Sequence, residues 1–412
     1  MTAADREHEE PRVGPLAGMR VLELAQIMAG PTCGMLLADM GADVVKVEKL
    51  PGGDDVRGYR EPRVNGESAP FMMLNRNKRG IAVDLKRAEG CEILLRMVAK
   101  ADVVTENFRL GTLERLGLGY DVLSKVNPAL IYGAISGYGR TGPDAARGGF
   151  DLIAQGFAGL MSITGMPGGP PVKCGNPVAD INAGILAALG IVAAWAHRLR
   201  TGKGQVVDTS LAEAALQQTY WQAAIHFATG ASPGPTGSAH VLTAPYQAFE
   251  AADGWLNVGG ANQANWERIA EVLGHPEWCA DPRFATNAAR MANLATLAAA
   301  MGAVIATRPR AEWIAAFDAA GVPAGPVHTI GEALAHPQTR ARGMVVDLVH
   351  SRAGPTRALG CPIHFSVTPT AITRAAPLLG EHTRALLREH GYDDQAIDAL
   401  VADGVVACTT VD

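Results

Sequence analysis

A chain of 412 residues is longer than one ordinary hydrophobic core organises, so two domains or one elaborated domain are expected. Hydrophobic residues make up 48%, charged residues 19%, and the formal net charge is −5 with a pI near 6.1, which leaves no electrostatic case for a nucleic-acid surface. The six cysteines (Cys33, Cys91, Cys174, Cys279, Cys361 and Cys408) form no CxxC pair and no His/Cys cluster, which argues against a metal site or disulfide framework and fits a reducing compartment.

Residues 1–12 are acidic and polar, unlike a signal or transit peptide. Residues 20–24 (Arg-Val-Leu-Glu-Leu) read as a strand, residues 29–41 as a helix with Pro31 in its first turn and Gly41 at its end, and residues 43–48 as a second strand. Strand, glycine-containing turn, helix, strand and acid outline a βαβ unit, but residues 29–34 lack G-x-G-x-x-G, so the turn is weak evidence for a dinucleotide. Further strands are expected at residues 80–84, 101–105 and 129–135, with a helix at 90–99 between the first two. This alternation argues for a doubly wound parallel sheet, whose ligands sit at the carboxyl ends of the strands. Basic or polar residues follow those ends: Lys49 and Arg57, then Lys86, then Asn107, Arg109 and Arg115. Singly each reads as solvated surface. Together at one edge they are what a multiply phosphorylated ligand requires.

Asp180 is the only acid between Lys173 and His197, set between a Gly/Pro-containing approach and a long apolar helix pattern that runs to about residue 199. A charged carboxylate in so much small and apolar surface is costly unless something hydrogen-bonds or uses it. It reads as a helix N-cap, as a nucleophile, or as both. Nearby Cys174 reads as a small core hydrophobe. The longest uncharged apolar run here, residues 185–196, is shorter than the ~20 residues of a membrane span, and a cytoplasmic protein is expected.

One more strand (205–209) and one helix (211–228) precede a loop at 230–238 rich in Gly, Pro and Ser. Strands at 246–249 and 255–258, joined through Asp253-Gly254, read as a hairpin. Helices are expected at 265–273, 294–306 and 310–319, a strand at 344–349, and a last helix at 381–389. The divisions read as a large domain from residues 1–228, a small α+β domain with its linker at 229–326, and a return to the large domain at 327–412.

Separated motifs in this order resemble the class III CoA-transferases, together with the related α-methylacyl-CoA racemases. They include Val21-Leu22-Glu23-Leu24, Asn75-Arg76-Asn77-Lys78-Arg79, Glu106-Asn107-Phe108-Arg109, Gly137-Tyr138-Gly139, Asp180 and Thr201-Gly202-Lys203-Gly204-Gln205, and the likeness runs from about residue 15 to 406. The resemblance implies a Rossmann-like large domain, a smaller α+β domain and an interlocked homodimer. It implies that Asp180 is the catalytic nucleophile, and that Ala29, Lys49, Val83, Lys86, Asn107, Phe108, Arg109 and Arg115 contact coenzyme A. Met28 stands where formyl-CoA transferases carry a glutamine, and their run of four glycines is absent, so formyl transfer between oxalate and formate is not expected. Racemases carry a histidine at the position of Phe150, and phenylalanine moves no proton.

The chemistry implied is transfer of CoA from an acyl-CoA to a free carboxylic acid through a covalent intermediate on Asp180, with no metal and no membrane or nucleic-acid partner. Succinyl-CoA is the first donor to try. Tyr59, Phe150 and Met28 are candidates for the acyl pocket, Gly259 and Gly260 for oxyanion donors, and His240 for contact with the acceptor acid. The alternatives are an α-methylacyl-CoA racemase and a CoA-binding protein without catalysis.

Overall fold

The computed structural model describes residues 13–59 and 61–409; the polar N-terminal stretch 1–12 lies outside them. It divides into two compact units. The first holds β1 (Arg20–Glu23), α1 (Ala29–Asp39), β2 (Asp43–Glu48), β3 (Arg79–Val83), α2 (Ala88–Val98), β4 (Val103–Glu106) and β5 (Ile131–Ser136). It continues with α3 (Asp151–Phe157), α4 (Val178–Thr201), β6 (Val206–Ser210), α5 (Leu211–Gln217) and, near the end of the chain, β7 (Val406–Ala407). These strands form one seven-stranded sheet in the order β7-β3-β2-β1-β4-β5-β6. All pairings are parallel except that of β7, which runs antiparallel along β3 with Val406 opposite Val83.

The strand order reverses at β1, where Leu22 lies opposite Val45 of β2 on one side and Val104 of β4 on the other. Such a switch leaves a crevice outside the carboxyl ends of the two central strands. One face of the sheet buries Leu22, Val45, Ile81, Val104 and Tyr132 with Ile93, Leu94 and Met97 of α2 and Leu386 and Leu387 near the C-terminus. The other carries α1 and α4, which pack on each other and on β1 and β5. Gly184 makes that packing close: a Cβ there would lie 2.5 Å from the Ala29 carbonyl oxygen.

The helix α4 has 24 residues, twice the apolar run on which the sequence reading rests, and by length and composition alone it could cross a membrane. Its small-residue face (Ala179, Ala183, Gly184, Ala187, Ala188, Ile191, Ala194) is buried. Its exposed side carries Ile185 and Leu189.

The second unit takes Gly159–Lys173 and Thr219–His336. Strands Tyr246–Ala251, Gly254–Gly259 and Ala324–Pro326 form an antiparallel sheet. Helices Gln263–Val272, Leu294–Ile305 and Arg310–Ala319 supply Trp266, Ile269, Met301, Trp313 and Phe317 to its core. The expected single helix at 211–228 is two, Leu211–Gln217 and Tyr220–Thr229, broken where the chain passes between units. The second unit therefore begins about ten residues earlier than composition suggests, reaches His336 rather than residue 326, and includes residues 159–173, which the reading assigns to the large domain. Gln218 and Thr219 are not breakers, so apolar periodicity reads straight through them.

Candidate active site

At the switch point of the first unit lies an open cavity of about 250 Å³. Its walls are the turn after β1 (Gln26–Ala29), Asp55, the turn after β4 (Asn107–Leu110), the end of β5, residues 145–150, Leu211 and Asp180. The wall after β5 needs glycine: a Cβ on Gly137 would come within 2.8 Å of the Gly149 backbone.

Asp180 sits in the first turn of α4, but not at its cap, which is Pro177. The capping oxygen comes from another helix: Oδ1 of Asp151, the first residue of α3, accepts the Ala179 N–H at 2.9 Å. Oδ2 of Asp151 accepts from Nε2 of the buried Gln155 at 2.7 Å, and Oε1 of Gln155 accepts the Cys174 N–H at 2.8 Å. Among the described residues the Asp180 carboxylate has no hydrogen-bond or ion-pair partner. Burial, and then the negative charge of Asp151, push its pKa up from the ordinary aspartate range to about 7. The result is a partly buried carboxyl group in an open cavity, with a pKa near neutral pH and no part in holding the fold. That corrects the cap reading of Asp180 and brings in Asp151, a residue the sequence reading passes over in favour of its neighbour Phe150.

The cavity brings together Asp180, Met28, Ala29, Asn107, Phe108, Arg109 and Phe150. The Arg109 guanidinium packs over Gly148, where a Cβ would meet it at 3.1 Å, and has no ion pair among the described residues. Asn107 is already engaged: its Oδ1 accepts the Gln26 N–H at 2.8 Å and its Nδ2 donates to the Gln26 carbonyl at 2.7 Å. Lys49, outside the wall, pairs with Asp55 at 2.5 Å, and Arg115 donates to Thr112 Oγ1 at 3.2 Å. Lys86 and exposed Tyr59 are also outside the wall. Val83 is a core residue, 1% exposed, so its side chain can touch no ligand.

The remaining candidates belong to the second unit. The Gly259 N–H donates to the Pro323 carbonyl at 2.8 Å and the Gly260 N–H to the Pro245 carbonyl at 2.7 Å, so neither amide is free to hold an oxyanion. That overturns the oxyanion assignment for the pair. The His240 ring packs edge-on against Tyr246 and Trp221, and its Nδ1 accepts the Leu242 N–H at 3.1 Å, a local structural role. No group of three or more His, Cys, Asp or Glu side chains is placed to hold a metal ion among the described residues.

Comparison with known proteins bears on the family and the fold. A sequence model of "CoA-transferase family III" matches residues 16–383. A succinate–glutarate CoA-transferase from Agrobacterium fabrum is 41% identical over 384 residues, covering 92% of this chain and 96% of its own. An acetyl-CoA:oxalate CoA-transferase from Acetobacter aceti is 38% identical, over 91% of this chain and 96% of its own. The crystal structure of a CAIB/BAIF family protein from Brucella suis, 40% identical, matches with a TM-score of 0.82 over 92% of this chain and 100% of that one.

Proposed function

The chain belongs to CoA-transferase family III, and from that premise we propose that it moves CoA from an acyl-CoA thioester to a free carboxylic acid, with Asp180 as the nucleophile. The observation that carries this reading is a carboxylate in a cavity at the sheet's switch point, unpartnered among the described residues and with its pKa raised by burial.

An Asp180 oxygen attacks the thioester carbonyl, the C–S bond breaks, and CoA leaves as thiolate, leaving an acyl-aspartyl anhydride. The thiolate attacks the aspartyl carbonyl and expels the donor acid as carboxylate, giving an aspartyl-CoA thioester. The acceptor carboxylate attacks that carbonyl and displaces the thiolate, which then attacks the acceptor carbonyl and releases Asp180. No proton is gained or lost overall, and the thioester's energy is kept. A carboxylate is a poor nucleophile in water, so holding it against the thioester supplies most of the help, on the order of 7–11 kcal/mol for well-oriented groups. Arg109 is the cation positioned to fork a phosphate of CoA. No side chain caps the N-terminus of α1, and Met28 and Ala29 at that end line the cavity, where free backbone amides can hold the thioester oxygen.

Incubation with succinyl-CoA and a panel of short dicarboxylic acids tests this reading. New CoA thioesters should form only when an acceptor is present, and Arg109→Ala should need about tenfold more acyl-CoA to reach half-speed. An α-proton exchanging in deuterated water without any acceptor would point instead to the racemase.

The reading includes a homodimer. In the first unit α3 exposes Leu152, Ile153 and Phe157, and α4 exposes Ile185 and Leu189, apolar surface that a second copy would cover. Light scattering should return twice the chain mass of 43.1 kDa; a single-chain mass at micromolar concentration would remove the dimer from the account.

A further inference from the structure

The cavity wall after β1 is held in a conformation its own sequence does not favour. Ile27 has φ +69°, in the left-handed region, where a β-branched residue is a true outlier. Such backbone persists only when its surroundings over-determine it. Here they do so at three successive residues and again at Pro31. The Ala25 carbonyl accepts from Lys46 Nζ at 3.0 Å, and Asn107 brackets both backbone groups of Gln26. The Ile27 N–H donates to both oxygens of Asp54, at 3.1 and 3.2 Å, and the Pro31 carbonyl accepts from Lys78 Nζ at 2.9 Å.

Three of those four anchors come from one buried cluster. Lys46 pairs with Asp54 at 2.8 Å and with Glu23 at 3.2 Å, and Glu23 pairs with Lys78 at 2.9 Å. All four side chains are 0–1% exposed. Two ammonium and two carboxylate groups balance, but taking them out of water costs more than a well-packed apolar core would, so the cluster is a poor stability device. What apolar side chains cannot do is grip backbone N–H and C=O groups at fixed points. Asp54 has a further feature: the next residue, Asp55, itself lines the cavity and takes Lys49.

We infer that Asp54 is a positioning residue for CoA transfer: through the Ile27 amide it fixes the strained turn that carries Met28 and Ala29 on the wall shared with Asp180. The inference rests on the functional reading above. If it holds, loss of the Asp54 contact lets Ile27 relax toward ordinary φ and moves the wall. The chemical step then suffers more than acyl-CoA binding, because Phe108 and Arg109 follow β4, which the sheet holds between β1 and β5 whatever Ile27 does.

The test is steady-state transfer from succinyl-CoA to glutarate by the full chain, with the parent measured first. If glutarate is not accepted, the acceptor from the dicarboxylic acid panel that the parent uses best replaces it; a parent that transfers to none of them refutes the functional reading, not this inference. With an active parent, Asp54→Asn should lower kcat by about 10- to 100-fold, with KM for acyl-CoA within about twofold, as misplacement of reacting groups does. Adding Ile27→Gly to that variant should then restore kcat by at least about fivefold, because glycine takes positive φ without an anchor. General destabilisation would not be repaired in this way. If Asp54→Asn does not fold, Asp54→Glu keeps the charge balance while moving the carboxylate, and should also lower kcat at unchanged KM. An Asp54 variant that folds and turns over at the parent's kcat, or a double variant no faster than Asp54→Asn alone, overturns the inference.

Discussion

Asp180→Asn should bind acyl-CoA about as tightly as the parent and transfer CoA slower by on the order of 10⁴-fold or more, the scale on which removal of a covalent nucleophile is felt. The substitution keeps size and shape and removes the attacking oxygen anion. It is clean because the carboxylate holds nothing: Pro177 occupies the cap position, Asp151 satisfies the Ala179 amide, and no described residue pairs with Asp180. Stability gives an independent check, and its sign is opposite to that of a structural acid. The folded pKa of about 7 lies above the ordinary aspartate value, so folding favours the protonated form. This contribution is fully present below about pH 4 and is lost as pH rises through about 7. The Asn variant should therefore melt several degrees above the parent near about pH 8.5, and the gap should close toward about pH 4. An Asn variant that melts lower at every pH would mean that the carboxylate supports the fold.

Asp151→Ala should lower kcat by about 10- to 100-fold while leaving KM for acyl-CoA nearly unchanged. Asp151 has two physical effects on the nucleophile. It holds the first turn of α4 through the Ala179 N–H, and its charge raises the pKa of Asp180. Alanine removes both. Asp151→Asn separates them, since its amide oxygen can still accept from Ala179 while the charge is gone. Transfer by the parent should rise about tenfold per pH unit below pH 7 and level off above it, following ionisation of Asp180. In Asp151→Asn that limb should move to lower pH, but only part of the way to an ordinary aspartate, because burial is the larger cause of the raised pKa. A limb that stays in place would show that the two carboxylates do not interact.

The sheet is legible in the sequence because it rests on local signals, and the isolated acid at position 180 stands out there as well. Short apolar runs beginning near Val21, Val44 and Ile81 fall on β1, β2 and β3, with bounds that differ by a residue or so. The reversal of strand order at β1 follows from right-handed connections and is a fold-level rule rather than a residue signal. What is not legible depends on groups far apart in the chain. The cap of α4 comes from Asp151, 28 residues before Ala179. Asn107 reads as a ligand contact because it is a polar residue after a strand; its amide in fact closes on Gln26, 81 residues away. Gly259 and Gly260 look like free amides until Pro323 and Pro245 are seen to accept them. Nothing in an isoleucine announces positive φ, so the strained turn at Ile27 is visible only once Asp54 is seen beneath it. The crossing between units at residues 218–219 likewise has no Gly or Pro to mark it.

The central claim is that an oxygen of Asp180 becomes part of the reacting molecules. It is tested most directly by turnover with an acceptor acid whose carboxylate carries heavy oxygen, followed by the mass of the peptide containing residue 180. In the steps given, the acceptor's oxygen attacks the aspartyl carbonyl and remains there when the thiolate leaves with the acceptor acyl group. The account predicts heavy oxygen in Asp180 and in no other acid of the chain. A peptide that stays light while the acceptor's CoA thioester accumulates would contradict it.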